Sequence, residues 1–583
     1  MKKYLFIALA ALVFAACAEK VDDTNVPKGE LEESYIAINL MAADVDTRAP
    51  GDPLFPNETY EQGTDAERAI KTAYFFFFDA EGDAFNVTGA PATAPGNVDG
   101  VNHMSLTISN ATTSGMPNVS DIKNAVLILN TYKGVYPSKI VAVLNWKPQD
   151  DKAYTLAELH EVIDNSIGND TQGYVMSNSV YMDGAGNVVD AVPLTAANIK
   201  TTADEATKNP IDIYVERTAA KVVLTASGKV TDENIFETQK TSDLVGSNEG
   251  ILAGAPNPID VYVKLHGWEL YNEYSTSTLL KNIENWDVTT LGLTWNDIPY
   301  YRCYWAQSQG PLSGDSFAWS YANQADKGFP TSYGFKIANI ATDYASDTYT
   351  YCGENTNQKD GSTDPRTKVI LKGQLMQKNG EKYQPLELAR WYGTEYAGNE
   401  ALRIAVANSL KHTVFSSADQ TQYDPITPGD LEYVAGETVG AKAYEVGFQL
   451  STAGEGKTWY KYSSEKGYEI LGGDAANKDK IKEATNAHLK TVEPALLYAQ
   501  GNTYYIVDIE HLGTAGAKFG VVRNHVYQID INSITGYGSP IYNGLSFIVD
   551  QPEYPIEDEG SFVAAKINVL SWKVVKQGVN VGQ

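Results

Sequence analysis

The sequence predicts a mainly β protein of paired β-sandwiches with a few short helices. Three observations carry that expectation. Apolar and polar residues alternate with period two in several runs, most clearly at Ile36, Ile38, Leu40 and Ala42. The composition favours strands and turns, with 37 Tyr and 48 Gly, while charged residues make up only 20%. Helical spacing with a recognisable cap surfaces only in short stretches.

At 583 residues the chain exceeds one ordinary hydrophobic core, so two large domains are expected. The formal charge of -28 argues against a nucleic-acid backbone or an anionic lipid surface as partner, because both would repel it.

Taken in order, Met1-Lys2-Lys3 followed by the apolar Tyr4 to Ala16 reads as an export signal, residues 1–16, too short for a stop-transfer helix. Phe14-Ala15-Ala16-Cys17 resembles a lipobox, which makes Cys17 the candidate lipidation site; a signal peptide followed by an unmodified cysteine is the alternative. Residues 17–48 then read as a propeptide. The strand carrying Ile36, Ile38, Leu40 and Ala42 runs into Thr47-Arg48-Ala49-Pro50, a basic residue in a loop-forming stretch open to a trypsin-like protease. A core strand beside an accessible cleavage site implies a strand made to be removed, with Arg48 and Ala49 flanking the cut.

Residues 49–209 are expected to form the N-terminal sandwich. Tyr74 to Phe78 is a strand ending in the turn Asp79 to Asp83, and Asn124 to Leu129 and Lys139 to Leu144 read as central strands. Thr155-Leu156-Ala157-Glu158 is a capping box that opens a short amphipathic helix, and Val175 to Tyr181 returns to strand.

Residues 210–572 are expected to form a C-terminal sandwich with insertions. Its strands are read at Ile211 to Ala226, Val261 to Glu273, Tyr300 to Ala306, Val521 to Ile531 and Ala564 to Trp572. A hairpin at Val369 to Lys382 is placed on Asn379-Gly380, a type I′ signal. Helices are read at Glu400 to Lys411, capped by Asn399, and at Lys478 to Leu489. Glu67-Arg68 to Lys71 echoes Glu216-Arg217 to Lys221, which suggests two domains of related build. A closing strand is complete by Trp572, so residues 573–583 stand apart as an extension.

Chemistry is hard to find. His160-Glu161 lacks the second histidine of a zinc helix, and no GxSxG elbow occurs. Gly454 to Thr458 looks like the end of a phosphate loop, but Ser451 stands where the upstream glycine belongs, so a surface turn is expected. Asp79 to Asp83 lacks the distal glutamate of an EF-hand; no cofactor is expected, and calcium is conceivable but not indicated. Beyond Cys17 the cysteines are Cys303 and Cys352, which either pair or stay as buried thiols. The expectation is a protein that is not an enzyme.

Several stretches together resemble the fimbrillins of Bacteroidales type V pili, most nearly the Mfa-type short (minor) fimbria shaft subunits. They are Arg48-Ala49, VERTAAKVVL at 215–224, YRCYWA at 301–306, YCGENT at 351–356, VVRNHVYQIDI at 521–531 and INVLSWKVV at 567–575. The resemblance implies two tandem transthyretin-like sandwiches, export to the outer membrane as a lipoprotein on Cys17, and cleavage after Arg48 by an arginine-specific protease. It further implies a mature location in a cell-surface fimbrium, with accessory tip and anchor subunits as partners beside self-association, and a role in adhesion and biofilm formation. The neighbour's C-terminal strand, here Lys573 to Gln583, would fill the groove that the lost strand leaves.

The physics of such an exchange stands on its own. An open groove exposes backbone N–H and C=O groups together with apolar side chains until a strand pairs there. Val575, Val579 and Val581 share one parity, with Gln577 interrupting, and so match Ile36, Ile38, Leu40 and Ala42 in spacing. Because donor and groove are different surfaces, the contact does not close on itself and propagates as a filament. The alternatives are a fimbrial tip or accessory adhesin, and a cell-surface glycan-binding lipoprotein whose Tyr and nine Trp residues stack on sugars.

Overall fold

The structure, a computed structural model, describes residues 31–42, 59–60, 63–91, 98–106, 109–112, 122–132, 134–164, 168–169, 171–182, 188–208, 210–231, 234–246, 258–271, 273–274, 277–283, 300–301, 308, 349–357, 366–435, 445–511, 519–540, 562–570 and 573–578. They fall into two compact units, the first within 1–43, 68–162 and 176–215, the second within 44–67, 163–175 and 216–583. As expected, the chain is mainly β, arranged in several sheets with a few short helices. Among the described residues no helix is long and apolar enough to cross a membrane.

The first unit opens with β1 (Leu31–Ala42). Two short elements that follow in sequence, β2 (Thr59–Tyr60) and most of helix α1 (Asp65–Arg68), belong to the second unit. The first unit continues with β3 (Ala73–Phe78), β4 (His103–Leu106), β5 (Ser109–Thr112), β6 (Ile122–Tyr132) and β7 (Lys139–Leu144). Helix α2 (Leu156–His160), β8 (Met176–Asn178), β9 (Val192–Pro193), helix α3 (Ala203–Thr207) and β10 (Ile211–Arg217) complete it.

Its principal sheet runs β4-β3-β7-β8-β10-β1-β6-β5, with β9 added beside β7. Phe75 to Phe78 and Ile140 to Leu144 are fully buried there, so the aromatic run is a central strand. The turn after it is tied by Asp79, whose Oδ1 accepts the amides of Glu81, Gly82 and Asp83 at 3.0, 2.9 and 2.9 Å. The expected capping box closes α2: Thr155 Oγ1 accepts from the Glu158 amide and the Glu158 carboxylate from the Thr155 amide.

The second unit is a sandwich of two sheets. Its strands include β11 (Ala219–Thr225), β12 (Ile235–Asp243), β13 (Pro258–Tyr271), β14 (Tyr349–Gly353), β15 (Lys368–Asn379) and β16 (Lys382–Pro385). An inserted lobe follows, made of β17 (Leu388–Trp391), β18 (Thr394–Tyr396), α4 (Gly398–Leu410), β19 (Val414–Ser416), β20 (Asp424–Pro425), β21 (Leu431–Ala435) and β22 (Glu445–Leu450). The lobe ends with β23 (Trp459–Ser463), β24 (Gly467–Ile470), α5 (Lys478–Leu489) and β25 (Ala495–Tyr498). The sandwich resumes with β26 (Asn502–Asp508), β27 (Val526–Thr535), β28 (Ser539–Pro540), β29 (Phe562–Leu570) and β30 (Lys573–Gly578).

One sheet runs β2-β30-β29-β27-β11-β14 and the other β12-β13-β15-β26-β28, with β16 beside β15. Alternate residues of both, among them Val222, Leu224, Ile529 and Ile531 from the first and Val263, Trp268, Leu371 and Tyr505 from the second, share one core. The lobe has a core of its own around Leu402, Phe448, Trp459, Ile481 and Leu497.

Three local expectations are corrected. The hairpin between β15 and β16 pairs Asn379 with Lys382, so its two loop residues are Gly380 and Glu381; positive φ occurs at Gly380 (62°) but not at Glu381, whereas type I′ needs both. Helix α4 is capped not by the Asn399 side chain but from outside, where Glu387 Oε1 accepts the Asn399 amide at 2.8 Å. The Glu-Arg echo is not a structural repeat, because Glu67 lies in a helix and Glu216 in a strand.

Candidate assembly site

The strand expected to be removed is an interior strand. β1 pairs antiparallel with β6 from Leu31↔Tyr132 to Met41↔Ile122, and parallel with β10 from Ile38↔Ile211 to Ala42↔Val215. Before β10 begins, the Tyr35 amide donates to the Lys200 carbonyl at 2.7 Å, and the Lys200 amide donates back at 3.0 Å. Both backbone edges of β1 are therefore used at its C-terminal half. Ile36 and Ile38 are fully buried, as the alternation requires, and Ser34 and Ala37 are also buried. Burial of Ala37 means that both faces of the strand are covered there, which period-two reading does not anticipate. Leu40 and Ala42 lie in the doubly paired segment, opposite Ile213 and Val215 of β10.

The C-terminal strand is seated differently. β29 completes the sandwich by pairing with β27 from Val526↔Leu570 to Thr535↔Phe562, with one register shift. β30 lies outside it, paired from Lys566↔Gly578 to Val569↔Val575. Among the described residues its other edge meets only β2, at Thr59↔Val574 and Tyr60↔Lys573. Val575 thus sits in a marginal strand resting on its own subunit. Val579 and Val581 lie outside the described residues, as do Cys17, Arg48, Ala49 and Cys303. Cys352 is a free thiol in the sandwich core, where burial pushes its pKa well up.

The sheet that carries β30 is riveted by buried polar groups that sequence reading missed. Glu67 of α1 is fully buried, and its carboxylate meets Lys221 Nζ of β11 at 2.9 Å, the Thr64 amide at 2.6 Å and the Tyr351 hydroxyl of β14. Arg217 Nε donates to the Glu67 carbonyl at 2.7 Å, and Arg217 Nη1 to Asn524 Oδ1 at 3.1 Å. Burial raises the Glu67 pKa, but the Lys221 charge and the hydrogen bonds outweigh it and hold the group below its ordinary value. Tyr351 is pushed the other way by burial and the adjacent carboxylate.

A second rivet joins Glu354 to Arg523, both buried: the Arg523 amide donates to Glu354 Oε2 at 3.1 Å and Arg523 Nη2 to Thr278 Oγ1 at 2.7 Å. Asn355 and Val521 exchange backbone hydrogen bonds at 2.7 and 2.8 Å. Residues 219–224, 351–353 and 526–531 of these stretches lie on one sheet, the one whose margin holds the tail. Of these four only Lys221 stands between apolar neighbours, Ala220 and Val222, and the partners lie 154 and 169 residues apart for Glu67–Lys221 and Glu354–Arg523.

Comparison with known families bears on this region. Residues 496–578 match the family model for the major fimbrial subunit protein type IV, fimbrillin, C-terminal. The C-terminal region is thus similar to that of the fimbrillins. The match runs from β25 to the last residue of β30 and so takes in the marginal strand. No curated protein matches the sequence. Among solved structures, a candidate cell adhesion protein from Parabacteroides distasonis is 12% identical with a TM-score of 0.34, covering 93% of this chain and 99% of that one. A candidate cell adhesion protein from Bacteroides eggerthii is 11% identical with a TM-score of 0.29, covering 93% and 97%. A fimbrial assembly protein from P. distasonis is 10% identical with a TM-score of 0.25, covering 76% and 100%.

Proposed function

We propose that the chain is a structural subunit of a cell-surface fimbria, and that its copies join head to tail by strand exchange. The observation that carries the reading is the contrast in seating: β1 is interior to its sheet, whereas β30 is an extra strand at the margin of another. In this reading Cys17 carries a lipid during passage to the outer membrane, and an arginine-specific protease cuts between Arg48 and Ala49. Loss of β1 then leaves the edges of β6 and β10 unpaired and uncovers the places of Ile36 and Ile38. Burying each such side chain is worth about 1.5–3 kcal/mol, so an open groove is under strong pressure to take a replacement. Lys573 to Gln583 of the next copy supplies it, and a shaft results. Accessory tip and anchor subunits would complete the fibre, which would support adhesion and biofilm formation.

The test is intact mass and N-terminal sequencing of surface protein, with a gel run without boiling. A start at Ala49 and a ladder that collapses on deleting residues 573–583 are expected. A lipidated start at Cys17 with monomer alone would overturn the shaft reading and leave an anchor subunit or a surface lipoprotein.

A second reading, an adhesin that stacks on glycans, draws on one feature of the lobe. On the sheet β20-β19-β23-β24, Tyr423 and Tyr468 stack at 3.7 Å and 6°, with Tyr462 and Phe415 packed at 4.9 and 5.2 Å from Tyr468. Tyr462 and Tyr468 are 39% and 41% exposed, which offers ring faces and hydroxyls together. Saturable glycan binding that Tyr468→Ala abolishes would favour this reading.

A further inference from the structure

We infer that β2 and helix α1 form a clasp that keeps the C-terminal strand on its own subunit, fastened by the buried Glu67–Lys221 pair. The inference rests on the reading of Lys573 to Gln583 as donor. β30 is held along one edge by β29, and β2 covers only Lys573 and Val574 on the other. Those two residues begin the strand, shortly after β29 ends at Leu570. A tail that swings out to another copy must part from β29 at its first residues, so even two paired residues there obstruct it.

A strand as short as β2 has little hold of its own. Seven residues beyond Tyr60 the chain is pinned at Glu67. The pin is cooperative: Glu67 uses Lys221, Tyr351 and its own Thr64 amide, while Arg217 takes its carbonyl. Lys221 also lies over the Tyr349 ring at 4.1 Å. Withdrawing Glu67 would leave Lys221 buried without its counter-charge, so the pin resists gradual loosening.

The clasp lies on the retained side of Arg48–Ala49. Cleavage at that bond takes β1 away but leaves β2 and Glu67 in place. Processing therefore opens the groove without freeing the tail, and release awaits an event that lifts β2, such as the approach of a second copy.

The test is amide hydrogen exchange on the monomeric mature chain, residues 49–583. Thr59→Pro with Tyr60→Pro removes both β2 amides; exchange at 573–578 should then rise by about tenfold or more while 526–530 of β27, paired with β29 and β11 on its two edges, stays protected. Glu67→Gln should accelerate the same tail amides by about threefold or more. Tail exchange unchanged in the proline variant overturns the clasp, and exchange unchanged in Glu67→Gln overturns the pin. Should Glu67→Gln loosen the whole sandwich, seen as faster exchange at 526–535, the proline variant decides. A freed tail with no change in ladder formation would sink the donor reading and leave the clasp standing. The reverse result would do the opposite.

Discussion

β1 and β30 are both alternating strands near an end of the chain, yet one is locked inside its sheet and the other rests at a margin. The difference lies in neighbours rather than in residues. β1 has β6 along one edge for eleven consecutive register pairs and β10 along the other for five, whereas β30 has β29 for four and β2 for two. A strand's removability is thus not written in its own apolar content. In the proposed exchange the strand that must leave is the better held, and a covalent cut is the natural means of losing it. The strand required to travel is the poorly held one.

Deletion gives the largest test of that contrast. Removing residues 31–42 uncovers two interior edges and the sites of two fully buried isoleucines, worth about 3–6 kcal/mol in apolar burial alone. Calorimetry should show the first unit losing its cooperative transition, and an added peptide of residues 573–583 should restore it. Deleting 573–583 should leave the second unit's transition nearly in place, because β29 still closes the sheet. Equal losses from the two deletions would break the comparison.

The rivet beneath β30 comes next. Lys221→Met strands the Glu67 carboxylate in the core and should cost about 3–5 kcal/mol in chemical denaturation. Because the folded Glu67 pKa is depressed, its contribution is present above the ordinary value of 4.5 and is lost as pH falls through the lower folded value. In Lys221→Met burial acts unopposed by that charge, so the slope should flatten or invert. An unchanged acid limb would mean that the pair contributes nothing to the sheet. Within β1, Ile38→Ala should cost about 2–5 kcal/mol in urea melts of the precursor. If the proposed cut after Arg48 takes place, the same change should have no effect on the assembled protein, which would then lack residue 38.

What was legible in sequence follows from the range of the interactions. Local rules worked where the determinants are local: the Thr155–Glu158 box, helix Lys478–Leu489 and a strand over Ile36 to Ala42 all stand where they were read. The turn after β15 was misplaced by one residue because register is set jointly by both strands, and Asn379 is drawn into the ladder. The Asn399 cap failed because Glu387, twelve residues away, reaches the helix amide first. Glu67 with Lys221 was seen only as a repeated spelling; a contact across 154 residues leaves no local signature.

The smallest expected effect is also the most discriminating for the joint. Ala37 is buried although it faces away from Ile36 and Ile38, so the groove has a tight spot on its second face. Ala37→Leu should therefore destabilise the precursor by about 1–3 kcal/mol through overpacking. A tail seated in the direction of β1, with Val579 in the place of Ile38, puts Gly578 in the place of Ala37, Val581 in that of Leu40 and Gln577 in that of Ile36. Small meets tight at Gly578, while Gln577 is mismatched, as is Gln583 in the place of Ala42. Gly578→Leu should then shorten the ladder, whereas Gln577→Ile should raise the temperature at which the ladder dissolves. If Gln577→Ile weakens the ladder instead, the tail enters in another register, and the parity shared by Val575, Val579 and Val581 is not what the groove reads.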